Sequence, residues 1–257
     1  MTSSKPNFLI AGAAKCGTTS LAALLAQHPE INMLPNEVHF FSKNYEKGVE
    51  WYLNHFQQPK KVQGEKSPTY LYYTDCHSRI HQLLPDVKLI VMLRNPVARA
   101  YSNWNIRYQD RRLVKQGLGF NQANPGRPLK RLGFSDLVDY YLENFVKVDV
   151  WQRPLDAIHR SLYLFQVESL LKYFKKENIL FLVSERFFKN EAIVLKTVCK
   201  FLNLKNLPLP EMVKKRSGQY KKNIPPEVPQ LLQEFFTPFN QQLFQLIDDN
   251  FREWQET

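Results

Sequence analysis

The stretch Asn7-Phe8-Leu9-Ile10-Ala11-Gly12-Ala13-Ala14-Lys15-Cys16-Gly17-Thr18-Thr19-Ser20 decides the fold. Asn7 to Gly12 is a short, mostly apolar run and reads as a buried strand. Thr19 to Gln27 reads as a helix, closed by His28-Pro29 because proline disfavours helix at the residue before it. Between them lies a turn bracketed by Gly12 and Gly17 and carrying Lys15. Backbone N–H groups in such a turn, the positive end of the following helix and a lysine together make a concave anion site. Small residues let the backbone approach the oxygens, and Thr18 and Thr19 add hydroxyl donors. Cys16 reads as a small residue filling the turn, because no Ser/His/Asp or Cys/His constellation accompanies it. The usual ATP-binding loop has lysine directly after its last glycine, whereas Lys15 stands two places before Gly17, which weakens an ATPase reading.

Two further segments repeat the pattern. Lys88 to Leu93 is a buried-strand candidate ended by Arg94-Asn95-Pro96, with helix expected from Val97 to about Arg107. Ile179 to Val183 is another, followed by a helical segment from Glu191 to Leu202. Runs apolar on both faces suit parallel strands covered by helices. The fold class is therefore α/β: an open parallel sheet flanked by helices, with a phosphate-binding loop resembling a P-loop and a ligand at the carboxyl ends of the strands. Pro229 to Trp254 carries Leu231, Leu232, Phe235, Phe236, Phe239, Leu243, Leu246 and Phe251 at near-helical spacing, a face that reads as core. The whole of 1–257 reads as one domain.

Composition narrows the class. The 257 residues carry a net charge of +11 and are 44% hydrophobic, which favours anionic partners and excludes wholesale disorder. Cys16, Cys76 and Cys199 are odd in number and widely spaced, so they make no disulfide framework, and a reducing, cytoplasmic compartment is expected. No apolar run approaches the about 20 residues of a membrane span. Phe8 to Ala14 is short enough for a signal-peptide core, but Lys15 interrupts it. Cys76-His77-Ser78-Arg79-Ile80-His81 has histidines four apart without further ligands at zinc spacing, so it reads as a surface helix and no metal site is expected.

Four ordered blocks carry a family resemblance: the loop Gly12 to Ser20, Asn36-Glu37-Val38-His39-Phe40-Phe41, Glu65-Lys66-Ser67-Pro68-Thr69-Tyr70, and Arg94 with Ser102 eight residues later. They resemble the sulfotransferases that use 3′-phosphoadenosine 5′-phosphosulfate (PAPS), and most of all the heparan-sulfate-type glucosaminyl 3-O-sulfotransferase branch. The resemblance runs on weakly through Arg160-Ser161-Leu162-Tyr163 and the basic segment from Lys214 to Lys222. It implies sulfuryl transfer from PAPS to an acceptor hydroxyl, with adenosine 3′,5′-bisphosphate as product and no metal. Lys15, Cys16, Gly17, Thr18, Thr19 and Ser20 would hold the phosphosulfate. Arg94 and Ser102 would hold the 3′-phosphate, and Tyr163, Lys221 and Lys222 would complete the cofactor site. Lys15 and Lys66 would face the developing charge, and Glu37 resembles the family's base, with His39 two residues on as the other candidate. Arg99 reads as structural.

Two other classes follow from the residues alone. A P-loop kinase or NTPase needs a Mg²⁺-holding acid, and a basic nucleic-acid-binding module is motivated by charge only. No nucleic-acid partner is expected. The irregular stretch from Arg107 to Arg131 holds Arg107, Arg111, Arg112, Lys115, Arg127, Lys130 and Arg131 against the single acid Asp110. It reads as a functional loop that invites an anionic, hydroxylated acceptor.

Overall fold

The structure, a computed structural model, describes residues 5–57, 60–109, 133–145, 156–205 and 226–254. The stretches 110–132 and 206–225 lie outside the described residues, and with them Lys221, Lys222 and most of the basic stretch. One compact unit is drawn from Met1–Arg94, Phe165–Arg216 and Phe251–Thr257, the other from Asn95–Leu164 and Ser217–Asn250.

The first unit is a five-stranded parallel sheet in the order β2-β3-β1-β4-β5. Its strands are β1 (Phe8–Gly12), β2 (Ile31–Met33), β3 (Val62–Lys66), β4 (Lys88–Leu93) and β5 (Ile179–Val183). β1 and β4 are buried along nearly their whole length, as their apolar runs require. β3 differs, since Val-Gln-Gly-Glu-Lys has no apolar run yet is buried up to Glu65. Its place beside β1 depends on Gly64, where a Cβ would stand 2.4 Å from the ring of Phe8, its partner in register. Gln63 meets the interior with its own partners: its N–H donates to Asn7 Oδ1 at 2.7 Å and its Oε1 accepts from Asn32 at 3.2 Å.

Helices α1 (Thr18–Leu25), α2 (Phe40–Lys43), α3 (Gly48–Leu53) and α4 (Asp75–Leu83) also belong to this unit. The Cys76–His81 segment is helical, but its reading as a surface helix needs correction. Cys76, His77 and Ile80 face inward, with His77 bonded to Ser169 Oγ at 2.9 Å and Leu71 O at 3.1 Å. Burial pushes the Cys76 thiol up to about 12 and holds the His77 imidazole down at about 4.

The second unit is helical: α5 (Pro96–Gln109), α6 (Phe134–Asn144), α7 (Asp156–His159), the start of α8 (Tyr163–Leu171), and later α11 (Glu227–Ile247). Between them in the chain, α9 (Ser184–Lys189) and α10 (Glu191–Phe201) return to the first unit. Ala100, Trp104, Val138, Tyr141, Leu232 and Phe236 form the centre of the second unit's core. Asn95 caps α5, its Oδ1 accepting from Val97 and Ala98 N–H at 3.0 and 3.1 Å, and Pro96 takes the first helical place, where no N–H is needed. Arg99 is wholly buried and structural, donating to Ser161 Oγ at 2.7 Å and to Ala157 O. Ser161 in turn donates to Pro96 O at 2.9 Å. No helix among the described residues is long and apolar enough to cross a membrane.

Candidate functional site

The sheet changes direction at β1: the chain runs from β1 outward to β2, returns through β3, and crosses to β4 on the other side. Ligands of open α/β sheets bind at such a switch point, beyond the carboxyl ends of the strands. The β1–β4 register shifts between Ile10 and Gly12, which turns the strand end into the loop. Ala13 N–H then donates to Met92 O at 2.7 Å.

The loop itself is tightly held. Lys15 and Gly17 both have left-handed backbone, at φ 77° and 87°. A Cβ on Gly17 would lie 2.9 Å from the Phe188 ring, and one on Gly12 would lie 2.5 Å from Leu71 Cβ, so both sites need glycine for close approach. Ser184 Oγ donates to Cys16 O at 2.6 Å, and Arg94 Nη1 reaches Lys15 O at 3.4 Å from the end of β4. Gly17 stands at the N-cap of α1 with Thr18 buried, Thr19 exposed and Ser20 half-buried behind it. Turned backbone, a helix N-terminus, hydroxyls and cations form the donor set that a phosphate or sulfate anion requires.

Beside the loop, three elements deliver a charged cluster. Lys66, the last residue of β3, donates to Glu37 Oε1 at 2.5 Å and to Thr19 Oγ1 at 3.1 Å. His39 Nε2 lies 2.8 Å from Glu37 Oε2, and because a carboxylate only accepts, Nε2 carries the proton. His39 Nδ1 meets Thr69 Oγ1 at 3.1 Å. The His39 bond, followed by that of Lys66, holds the Glu37 carboxyl down at about 2 against the opposing effect of burial. Glu37 therefore stays ionised throughout the physiological range.

The structure thus joins Glu37, His39, Lys66 and Thr19 in one hydrogen-bonded chain, and joins Arg94 to the Lys15 peptide. It places Ser102, buried on α5, and Tyr163, buried at the start of α8, in the second unit. Sequence reasoning took only Lys66 from the block Glu65 to Tyr70, although Ser67 and Thr69 bind His39 and Glu65 lies directly behind them. The block's order was the available signal; the inward direction of Glu65 was not. Among the described residues no group of three or more His, Cys, Asp or Glu is arranged to hold a metal ion.

Residues 5–243 match the family model described as a sulfotransferase domain. The human heparan sulfate glucosamine 3-O-sulfotransferase 6 is 30% identical across 96% of this chain and 73% of its own length. The mouse heparan sulfate glucosamine 3-O-sulfotransferase 5 is 27% identical across 94% and 72%. Among solved structures, a sulfotransferase from Alicyclobacillus acidocaldarius superposes with a TM-score of 0.76 at 27% identity, covering 98% of this chain and 99% of that one. The sulfotransferase domain from the curacin biosynthetic pathway, at 16% identity and TM-score 0.51, shares the fold.

Proposed function

The chain belongs to the sulfotransferase family, and from that premise we propose that it moves the sulfuryl group of PAPS to a hydroxyl of an anionic saccharide, with Glu37 taking the acceptor proton. The observation that carries this reading is the position of Lys66, whose ammonium touches both Thr19 at the start of the anion-loop helix and the carboxylate of Glu37. Donor anchorage and proton acceptance therefore meet at one cation.

The residues present fit the donor's anionic end: glycines where a Cβ would collide, two left-handed residues that turn the loop backbone, and Lys15, Thr18, Thr19 and Lys66 as further donors. PAPS supplies an activated sulfuryl group and a phosphate leaving group. Lys15 and Lys66, with the loop amides, stabilise negative charge that grows on the leaving oxygens. Arg94, at the end of β4 and bonded to the Lys15 peptide, is proposed to meet the 3′-phosphate. Glu37 accepts the proton of the attacking hydroxyl as the new S–O bond forms and the S–O bond to phosphate breaks. His39 holds the other carboxylate oxygen in place.

The acceptor class rests on the net charge of +11 and on the heparan sulfate glucosamine named for the relatives. Family membership sets aside the kinase and nucleic-acid readings. The proposal is tested by offering PAPS and heparan sulfate oligosaccharides, and measuring sulfated product against adenosine 3′,5′-bisphosphate one for one. Absence of sulfate on any hydroxylated acceptor, with the protein folded, overturns it.

A further inference from the structure

Glu65 is completely buried, yet no step above uses it. It precedes Lys66 on β3, and neighbouring strand residues point to opposite faces, so the strand end presents an ammonium to the site and a carboxylate to the interior. Glu65 Oε1 accepts from Tyr70 at 2.6 Å and Tyr52 at 3.5 Å; Oε2 accepts from Ser67 Oγ at 2.7 Å. Ser67 Oγ in turn accepts the backbone N–H of His39 at 2.9 Å.

We propose that Glu65 is a positioning residue for sulfuryl transfer, acting through Ser67 and the backbone of His39 on Glu37. A hydroxyl has one proton. By accepting the hydrogen bond that this proton makes, Glu65 turns the lone pairs of Ser67 toward His39 N–H. His39 sits at φ 52°, a left-handed conformation that a side-chain-bearing residue keeps only where its surroundings hold it. The Ser67 bond to its backbone and the Thr69 bond to its ring supply that hold. So oriented, the ring delivers Nε2–H to Glu37 Oε2 and leaves Oε1 to Lys66. Glutamine at position 65 breaks this order: its one oxygen goes to the side with two donors, Tyr70 and Tyr52, so its amide NH₂ faces Ser67 and that hydroxyl loses its acceptor. Burial raises the affinity of Glu65 for a proton, opposed by the Tyr70 and Ser67 bonds, which is the cost of keeping a carboxylate here.

The inference rests on the reading of Glu37 as base, and a double-mutant cycle separates the two. Transfer from PAPS to heparan sulfate oligosaccharides, or to water as background hydrolysis, is measured for wild type, Glu65→Gln, Ser67→Ala, Glu37→Gln and the two double variants. Calorimetry with adenosine 3′,5′-bisphosphate reports site integrity. Glu65→Gln and Ser67→Ala should each lower kcat about tenfold or more with bisphosphate affinity within about twofold of wild type, and should add less than about twofold in the Glu37→Gln background. An equal loss in both backgrounds, or none in wild type, overturns the relay while Glu37 stands. Glu37→Gln at wild-type activity removes the base assignment, and the relay falls with it. Should Glu65→Gln fail to fold, Ser67→Ala carries the same comparison.

Discussion

Lys66 Nζ and Glu37 Oε1 stand 2.5 Å apart, and the carboxylate's other oxygen is 2.8 Å from His39 Nε2. As the proposed base, a carboxylate so paired is ionised but weak, since its proton affinity is spent on two donors. For transfer to occur, the acceptor hydroxyl must share or displace one of these bonds. On the proposed mechanism Lys66 is the partner drawn away, because it also touches Thr19 at the start of α1.

Glu37→Gln keeps the shape of the side chain and cannot take a proton. It should lower kcat by about 10² to 10⁴ while bisphosphate binding stays near wild type, as measured by steady-state kinetics and calorimetry. Loss of activity in His39→Ala with full activity in Glu37→Gln moves the base to His39.

The pH profile gives a separate reading of the same pair. Protonation of Glu37 abolishes its function, and its carboxyl is held at about 2, so wild-type kcat should show no acid limb from this group down to pH 4. His39→Ala removes the leading cause of that depression, and the acid limb should move up toward the ordinary carboxylate range, near 4.5. A limb that stays put in His39→Ala contradicts the pairing.

Lys15→Ala should reduce turnover by a larger factor than it weakens bisphosphate binding, because the charge it meets grows in the transition state. Parallel losses in kcat/KM and bisphosphate affinity, with kcat unchanged, would make Lys15 a binding residue only.

His77 predicts an acid weakness of the fold. Its imidazole titrates at about 4 when folded, chiefly because of burial, against an ordinary 6.5. Between those values the unfolded chain binds the extra proton, so stability falls as pH drops from about 6.5 toward 4. At about 1.4 kcal/mol per tenfold change in proton affinity, the full loss is about 3 kcal/mol. The contribution of Glu37 is lost only below 4.5, and the raised proton affinity of buried Glu65 acts in the opposite sense, so the comparison with His77→Gln isolates the imidazole within the window. Denaturant melts of wild type and His77→Gln across pH 5 to 7 check this; equal slopes in the two proteins would contradict it.

Gly64→Ala should destabilise the sheet by about 1 to 3 kcal/mol, because the added Cβ meets the fully buried ring of Phe8 at 2.4 Å. Thermal melts should show partial recovery in the double variant with Phe8→Leu, which removes the colliding ring edge.

What the sequence made legible follows from burial on both faces. β4 and β5 have the boundaries their apolar runs predict, and the helix after the anion turn begins at Thr18, one residue early. β3 was hidden because Gln63 and Glu65 enter the interior on hydrogen bonds that no apolar pattern announces. β2, only three residues long, had too little pattern to detect. The anion loop and Lys66 were visible as ordered blocks, whereas the joining of Glu37, His39 and Thr69 depends on how the chain folds around β3. His77 was misread for a related reason: a histidine on a helix does not disclose which face packs inward.

The central claim is tested most directly by incubating the purified protein with PAPS and heparan sulfate oligosaccharides in EDTA, and following sulfated saccharide and adenosine 3′,5′-bisphosphate together. On the proposed mechanism the lysines, Arg94 and loop amides neutralise the donor anion, so equal amounts of both products are expected from wild type in EDTA and about 10² to 10⁴ less from Glu37→Gln. Bisphosphate without sulfated product across a panel of hydroxylated acceptors, or a Glu37→Gln variant as active as wild type, would contradict the account.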